Sequence, residues 1–263
     1  MIKTAIIGGT GFYTPEVLES AKNHIQDTPF GQVSVITGIY KENEIAFIPR
    51  HGARHGTPPH LINYRANILA LKKMGVENIL ATAAVGSLYF EFKPGQMVLA
   101  DQFLDFTKSR PNTFYEGGER GVIHCDMTAP YCPFLRHTIV EVGKTMGVGV
   151  HNGGVYVCTE GPRFETAAEI EMFKMLGGHL IGMTSVPEAT LARELGICYA
   201  NICIVTNFAA GIAPGILTHS EVVDMMNSVM GTVRPLLLES ALLISKPKNC
   251  TCANILSEAG IMK

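Results

Sequence analysis

Apolar residues recur along this chain in two alternating styles. Short, nearly continuous apolar runs bounded by Gly, Pro or Asn predict strands over residues 2–7, 33–38, 44–49, 78–84, 97–103, 154–158, 180–183 and 197–206. Between them the apolar positions take helical spacing. Ile68, Leu69, Leu71 and Met74 predict a helix over 63–74, which Gly75 stops. Further helices are expected over 134–146 (closed by Gly147), 166–176 (ahead of Gly177-Gly178), 186–195 (opened by Pro187, closed by Gly196) and 220–245. This alternation predicts an α/β fold: a single domain over 1–263 with a central mixed, mostly parallel twisted sheet flanked by helices. No internal repeat, linker or low-complexity stretch divides it, and residues 247–263 are expected to form a loosely packed tail.

Composition narrows the partners. Of 263 residues 47% are hydrophobic, enough for a sizeable core, while 17% are charged and the formal net charge is −2. That balance lacks the basic face of a nucleic-acid binder, yet leaves room for a small anion held by a few local groups. No stretch approaches the ~18 apolar residues of a spanning helix. The first apolar run stops at Gly8-Gly9, too early for a signal peptide. A cytoplasmic location is therefore expected. Cys125, Cys132, Cys158, Cys198 and Cys203 fall mostly in apolar segments and read as reduced core cysteines. Cys250 and Cys252 stand in a Cys-Thr-Cys near the end of the chain. A zinc site needs more ligands than this segment offers, so no metal site is expected; free thiols on a tail are, with a redox clip between the two as the alternative.

Five segments could carry chemistry. Gly8-Gly9-Thr10-Gly11 follows a strand, where converging backbone N–H groups and the Thr10 hydroxyl suit an anion; the dinucleotide fingerprint is excluded because positions 13 and 14 are Tyr and Thr. Arg50-His51-Gly52-Ala53-Arg54-His55-Gly56 sets two guanidinium forks in a glycine-broken loop without carboxylates, which favours an anion over a metal. Ala81-Thr82-Ala83-Ala84-Val85-Gly86 runs a strand into small residues, letting backbone approach a ligand closely. In Glu160-Gly161-Pro162-Arg163-Phe164-Glu165, Phe164 can stack on a flat ring and Glu165 can accept from a ring N–H. The alternative there is a core aromatic beside a helix-starting carboxylate. Asn207 falls at the carboxyl end of a strand, where open α/β sheets bind ligands, and its amide offers both a donor and an acceptor. The glycine- and proline-bearing stretch from Gly211 to Leu217 reads as a lid ending near His219.

Together these segments resemble the trimeric purine nucleoside phosphorylases, in the branch that includes methylthioadenosine and methylthioinosine phosphorylases. The resemblance rests on Ile6-Ile7-Gly8-Gly9-Thr10-Gly11, Arg50-His51-Gly52, Asn63-Tyr64-Arg65-Ala66-Asn67, Arg110-Pro111-Asn112-Thr113-Phe114-Tyr115, Glu160-Gly161-Pro162-Arg163-Phe164 and Met183-Thr184-Ser185-Val186-Pro187-Glu188. It runs in order over residues 2–245 and implies a nucleoside phosphorylase-like fold. It implies phosphate held by Thr10, Arg50, His51, the backbone at Ala83 and Ala84, and Thr184. Ala83 stands where methylthioadenosine enzymes commonly carry a threonine. It places the sugar against Met183 and the base near Phe164 and Ala209, with Glu165, Asn207 and His51 in the catalytic set. Glu165 and Asn207 occupy the positions where 6-oxopurine enzymes carry Glu and Asn. His219 matches a residue that reads a sugar 5′-hydroxyl. His124 resembles one lent to a neighbouring subunit, which implies a homotrimer.

The implied activity is phosphorolysis of inosine- or guanosine-type nucleosides to free base and sugar 1-phosphate, in purine salvage. Phosphate is a co-substrate and no cofactor is expected. Methylthioinosine and methylthioadenosine phosphorylase are the alternatives.

Overall fold

The computed structural model describes residues 2–10, 18–52, 56–244 and 248–255. The expected contributions of Gly11, Arg54 and His55, and the last residue of the 220–245 helix, lie outside these residues. Among the described residues eleven strands form one mixed sheet, with six parallel and four antiparallel pairings. In chain order the strands are β1 (Thr4–Gly8), β2 (Glu19–Thr28), β3 (Gly31–Tyr40), β4 (Asn43–Pro49), β5 (Asn78–Ser87), β6 (Met97–Leu99), β7 (Gln102–Phe106), β8 (Val150–Asn152), β9 (Val155–Thr159), β10 (Leu180–Gly182) and β11 (Cys198–Phe208). The α-helices are α1 (Tyr64–Lys73), α2 (Pro133–Met146), α3 (Ala167–Met175), α4 (Ser185–Glu194) and α5 (His219–Leu243).

Strand pleating sorts the core. Ile7, Ile79, Ala81 and Val205 face α1 and α4, where they join Ile68, Leu71, Val186 and Ala189. Their neighbours Ile6, Leu80, Ile202 and Ile204 face the other way, onto Leu135, Ile139, Met226 and Val233 of α2 and α5. Each central strand therefore buries both faces, which is why it reads as an unbroken apolar run.

Three strand predictions change. The first strand of a hairpin, β2, has no counterpart among the predicted strands: Glu-Ser-Ala-Lys-Asn-His-Ile-Gln-Asp-Thr is mostly exposed and carries no apolar alternation. As the outermost strand of the sheet it needs none, and its charges guard the free edge. The single strand expected over 97–103 is two. Asp101 makes the corner between them, exchanging hydrogen bonds with the Gly154 backbone at 2.9 and 3.2 Å. The three-residue β8 leaves too short a pattern to find.

The tail differs from expectation as well. Its described part packs: Cys252 and Ile255 are each 3% exposed, and Cys252 joins the α2–α5 side of the core.

The sheet opens at one place that matters. Along one edge of β5, β1 pairs residues 78–81 and β10 pairs residues 86–87. On the other edge β11 runs the whole length. Residues 82–85 of β5 thus face a gap between the carboxyl ends of β1 and β10. Open α/β sheets bind ligands at such a switch point.

Candidate active site

A cavity of about 430 Å³ occupies that gap, within the roughly 300–1,000 Å³ of small-molecule sites. Its wall includes every predicted site residue but one: Thr10, Arg50, His51, Ala83, Ala84, Phe164, Glu165, Met183, Thr184, Asn207, Ala209 and His219. His124 is exposed and stands apart from this wall within the single chain.

One end is built for an anion. The backbone N–H of Gly9 donates to Thr82 Oγ1 at 3.0 Å, tying the β1 turn across the gap. Arg50 and His51 follow β4, and both are buried. Nε and Nη2 of Arg50 donate to the two carboxylate oxygens of Glu188 at 2.5 and 2.8 Å, and Nη1 donates to the Thr82 carbonyl at 2.7 Å. Among the described residues, three of the five guanidinium N–H groups are thus engaged on a side chain that borders the cavity. Burial alone would lower this guanidinium's pKa, but the Glu188 carboxylate more than offsets that and raises it. Arg50 therefore stays charged. Nδ1 of His51 donates to the Thr57 carbonyl at 2.8 Å, which places a hydrogen on that nitrogen. Thr184 precedes α4, and its hydroxyl does not cap the helix. The positive end of α4 adds to the field at this wall.

The other end carries paired polar groups among apolar ones. A register shift between Val205 and Asn207 in β11 re-aims the strand, so Thr206 and Asn207 both reach the cavity. Thr206 Oγ1 donates to Asn207 Oδ1 at 2.7 Å and Asn207 Nδ2 donates to the Phe208 carbonyl at 2.9 Å. The amide is thereby fixed in orientation, with one N–H and one oxygen lone pair left to use. In the same wall, Glu165 Oε1 accepts from Thr159 Oγ1 at 2.5 Å. Burial raises the Glu165 carboxyl above its ordinary value, and the Thr159 hydroxyl pulls it part of the way back. Leu217 and Val222 flank His219, which opens α5.

Residues 3–241 match the Phosphorylase superfamily. The chain belongs to this superfamily. A protein named probable 6-oxopurine nucleoside phosphorylase, from Dictyoglomus turgidum, is 52% identical over 98% of this chain and 97% of its own length. The 6-oxopurine nucleoside phosphorylase of Pyrococcus furiosus is 48% identical over 98% of this chain and 99% of its own. Among solved structures, methylthioadenosine phosphorylase from Schistosoma mansoni in complex with adenine superposes with a TM-score of 0.93 at 33% identity. It covers 98% of this chain and 99% of its own.

The cavity wall also depends on residues to which the sequence alone assigns no role. Glu188 is the buried counter-charge of Arg50, and Tyr199 donates to its Oε2 at 2.7 Å. A carboxylate in a helix as buried as α4 must be paired, which is the signal that could have found it. Arg110 is the second. It donates to the carbonyls of Thr159 (3.1 Å), Glu160 (2.5 Å) and Met183, binding the two loops that hold Phe164, Glu165 and Met183. Its place in the Arg-Pro-Asn stretch is visible; its targets are backbone atoms, which a sequence does not display.

Gly9 owes its identity to space. A Cβ there would lie 2.7 Å from the Thr82 carbonyl oxygen and 2.9 Å from Arg50 Nη1, neither able to retreat. Gly9→Ala is expected to lower stability by about 1–3 kcal/mol, as overpacking does. Thermal unfolding together with the KM for phosphate checks it: both should worsen, and an unchanged phosphate KM would separate Gly9 from the anion end.

Among the described residues no helix is long and apolar enough to cross a membrane. All seven cysteines are free and Cys132, Cys158, Cys198 and Cys203 are buried as expected, while Cys125 is only half-buried; one expectation fails, because Cys132 and Cys198 lie beside Cys250 and Cys252 and give them sulfur neighbours.

Proposed function

We propose that this chain is a 6-oxopurine nucleoside phosphorylase, cleaving inosine- and guanosine-type nucleosides with inorganic phosphate. The observation that carries this is the presence, in one cavity, of an anion-suited set (Thr10, Arg50, His51, Thr184) together with Glu165 and Asn207. The names of the relatives at 52% and 48% identity support it.

In the proposed reaction, phosphate rests against the Gly9–Thr10 turn, Arg50, His51, the backbone at Ala83 and Ala84, and Thr184. It attacks the anomeric carbon of the sugar while the bond to the purine breaks. Positive charge grows on the sugar and negative charge on the leaving base. Holding phosphate in line removes up to about 7–11 kcal/mol of entropic barrier. Asn207 spends its remaining N–H on O6; as the base departs with its negative charge, N7 takes a proton from solvent and the new N7–H donates to the Asn207 oxygen. Glu165, ionised, accepts from N1–H. Hydrogen bonds of this kind strengthen as charge develops. Adenine presents a lone pair at N1, leaving Glu165 unmatched at a cost of about 1–3 kcal/mol, about fivefold to more than a hundredfold in rate. Phe164 stacks on the base and Met183 lies under the sugar. The proposed chemistry calls on no cofactor or metal. Phosphorus NMR of inosine with phosphate tests the reaction: a sugar 1-phosphate signal should grow in step with hypoxanthine, and ribose appearing without phosphate would identify a hydrolase.

The proposal extends to a cytoplasmic homotrimer serving purine salvage, with the exposed His124 lent to a neighbouring sugar pocket. A second substrate, methylthioinosine, is favoured by one observation: apolar Leu217 and Val222 stand beside His219. A 5′-hydroxyl reader predicts faster turnover of inosine, and a methylthioinosine preference assigns the pocket to the apolar pair.

Glu165 gives the reaction an acid limb. Its pKa is raised by burial, so the stability it contributes is fully present below the ordinary carboxylate range and is lost as pH rises through the folded value. Activity runs oppositely, because only the carboxylate accepts from N1–H. kcat/KM for inosine should fall as pH drops through that value. Thr159→Val removes the hydroxyl that favours the ionised form and should move the limb to higher pH; an unmoved limb would assign it to another group.

A further inference from the structure

The sequence scatters four cysteines over more than a hundred residues, and the fold brings them together. Cys132 immediately precedes α2, Cys198 begins β11, and Cys250 and Cys252 come from the C-terminal segment. Their sulfurs all lie within 4.8 Å of one another, and Cys198 and Cys250 are 3.5 Å apart. Four sulfurs at about 2.3 Å from one tetrahedral zinc stand about 3.8 Å apart. A disulfide bond requires about 2.0 Å. The cluster is too tight to enclose a multi-iron centre.

We propose that Cys132, Cys198, Cys250 and Cys252 form a structural zinc site with a closed shell of four thiolates. Ligand chemistry selects the ion: thiolate-only tetrahedral sets favour zinc among the available divalent metals. Closure follows from burial. Cys132, Cys198 and Cys252 are buried among Leu135, Ile139 and Ile244, and half-buried Cys250 packs against them, so four sulfurs fill the shell and leave no position for substrate. Surrounding groups suit negative charge. Cys132 stands at the positive end of a fourteen-residue helix. Buried Arg193 donates to Cys252 Sγ at 3.6 Å, an outer contact of the kind that orients a metal ligand. Each thiol releases its proton to solvent as it binds, leaving a dianionic centre that Arg193 partly offsets. The site clamps residues 250–252 to the start of β11 and to α2. It explains why a short polar tail packs against this face of the core.

Full-length protein purified under reducing conditions, without chelator, should contain about one zinc per chain by elemental mass spectrometry. Cobalt exchanged into the reduced protein should give thiolate charge-transfer bands and the intense visible bands of a tetrahedral tetrathiolate, and zinc should bleach them. In Cys250→Ser/Cys252→Ser, zinc content and the cobalt bands should fall to background. Reduced wild-type protein that takes up neither metal overturns the proposal. So does a mass showing hydrogens lost to disulfides in that preparation. The wild-type cobalt spectrum decides the matter even if the double variant fails to fold.

Discussion

Glu188→Gln is expected to cripple this protein twice over, in stability and in its use of phosphate. Both side chains of the Arg50–Glu188 pair are fully buried. Removing the carboxylate charge strands a guanidinium in the interior, where breaking a buried pair costs about 3–5 kcal/mol. At roughly 2–4 °C per kcal/mol, Tm should fall on the order of 10 °C. Gln keeps the shape and can still accept from Tyr199 or Arg50, but it cannot take both Arg50 hydrogens as the carboxylate does at 2.5 and 2.8 Å. The fork then loses its aim, and KM for phosphate should rise more than KM for nucleoside. A paired apolar replacement separates the two effects. Arg50→Met/Glu188→Met should recover much of the stability, since buried ion pairs are often replaceable by packed apolar groups, while phosphorolysis stays lost. Thermal unfolding and steady-state kinetics on both variants check this. A double variant that still used phosphate would mean that Arg50 serves packing alone.

Asn207→Asp should invert part of the base preference. In the wild-type chain the amide nitrogen donates to the Phe208 carbonyl and the amide oxygen accepts from Thr206. A carboxylate sets oxygen against that carbonyl and has no N–H for O6. Loss of one donor to a developing oxyanion lowers kcat by about 10²–10³, so inosine should suffer in that range. Adenosine loses less, because its 6-amino group donates to the new carboxylate. The adenosine-to-inosine ratio of kcat/KM should rise at least about tenfold, the worth of one buried polar match. Glu165 still faces the N1 lone pair. Glu165→Gln added to Asn207→Asp supplies a donor there and should raise the ratio again by a similar factor. A ratio unmoved by either change would show that these residues do not read the base.

Much of the architecture is legible in the amino-acid sequence itself. Buried strands announce themselves because both faces are apolar, so the predicted positions of β1, β5, β9 and β11 agree with the fold to within a few residues. Glycine-broken loops follow them, and the cavity wall gathers the residues those loops supply. What escapes has physical causes. The edge strand β2 is polar on both sides and gives no periodic signal. The bulge that turns Asn207 inward is a matter of hydrogen-bond register. Glu188 finds Arg50 across 138 residues of chain, and Arg110 acts on carbonyl oxygens common to every sequence. The cysteine cluster is the plainest case: the Cys-Thr-Cys looks isolated because its partners are distant in the chain and adjacent only in the fold.

The most direct measurement is initial-rate purine release from inosine, guanosine, adenosine, methylthioadenosine and methylthioinosine, each with and without phosphate. The expected result is cleavage that requires phosphate, with the 6-oxopurine nucleosides ahead of their 6-amino counterparts by about fivefold to more than a hundredfold, as one unmatched buried polar group dictates. Efficient cleavage of methylthioadenosine, at rates equal to or above those of inosine, would contradict it and show that Glu165 and Asn207 tolerate adenine.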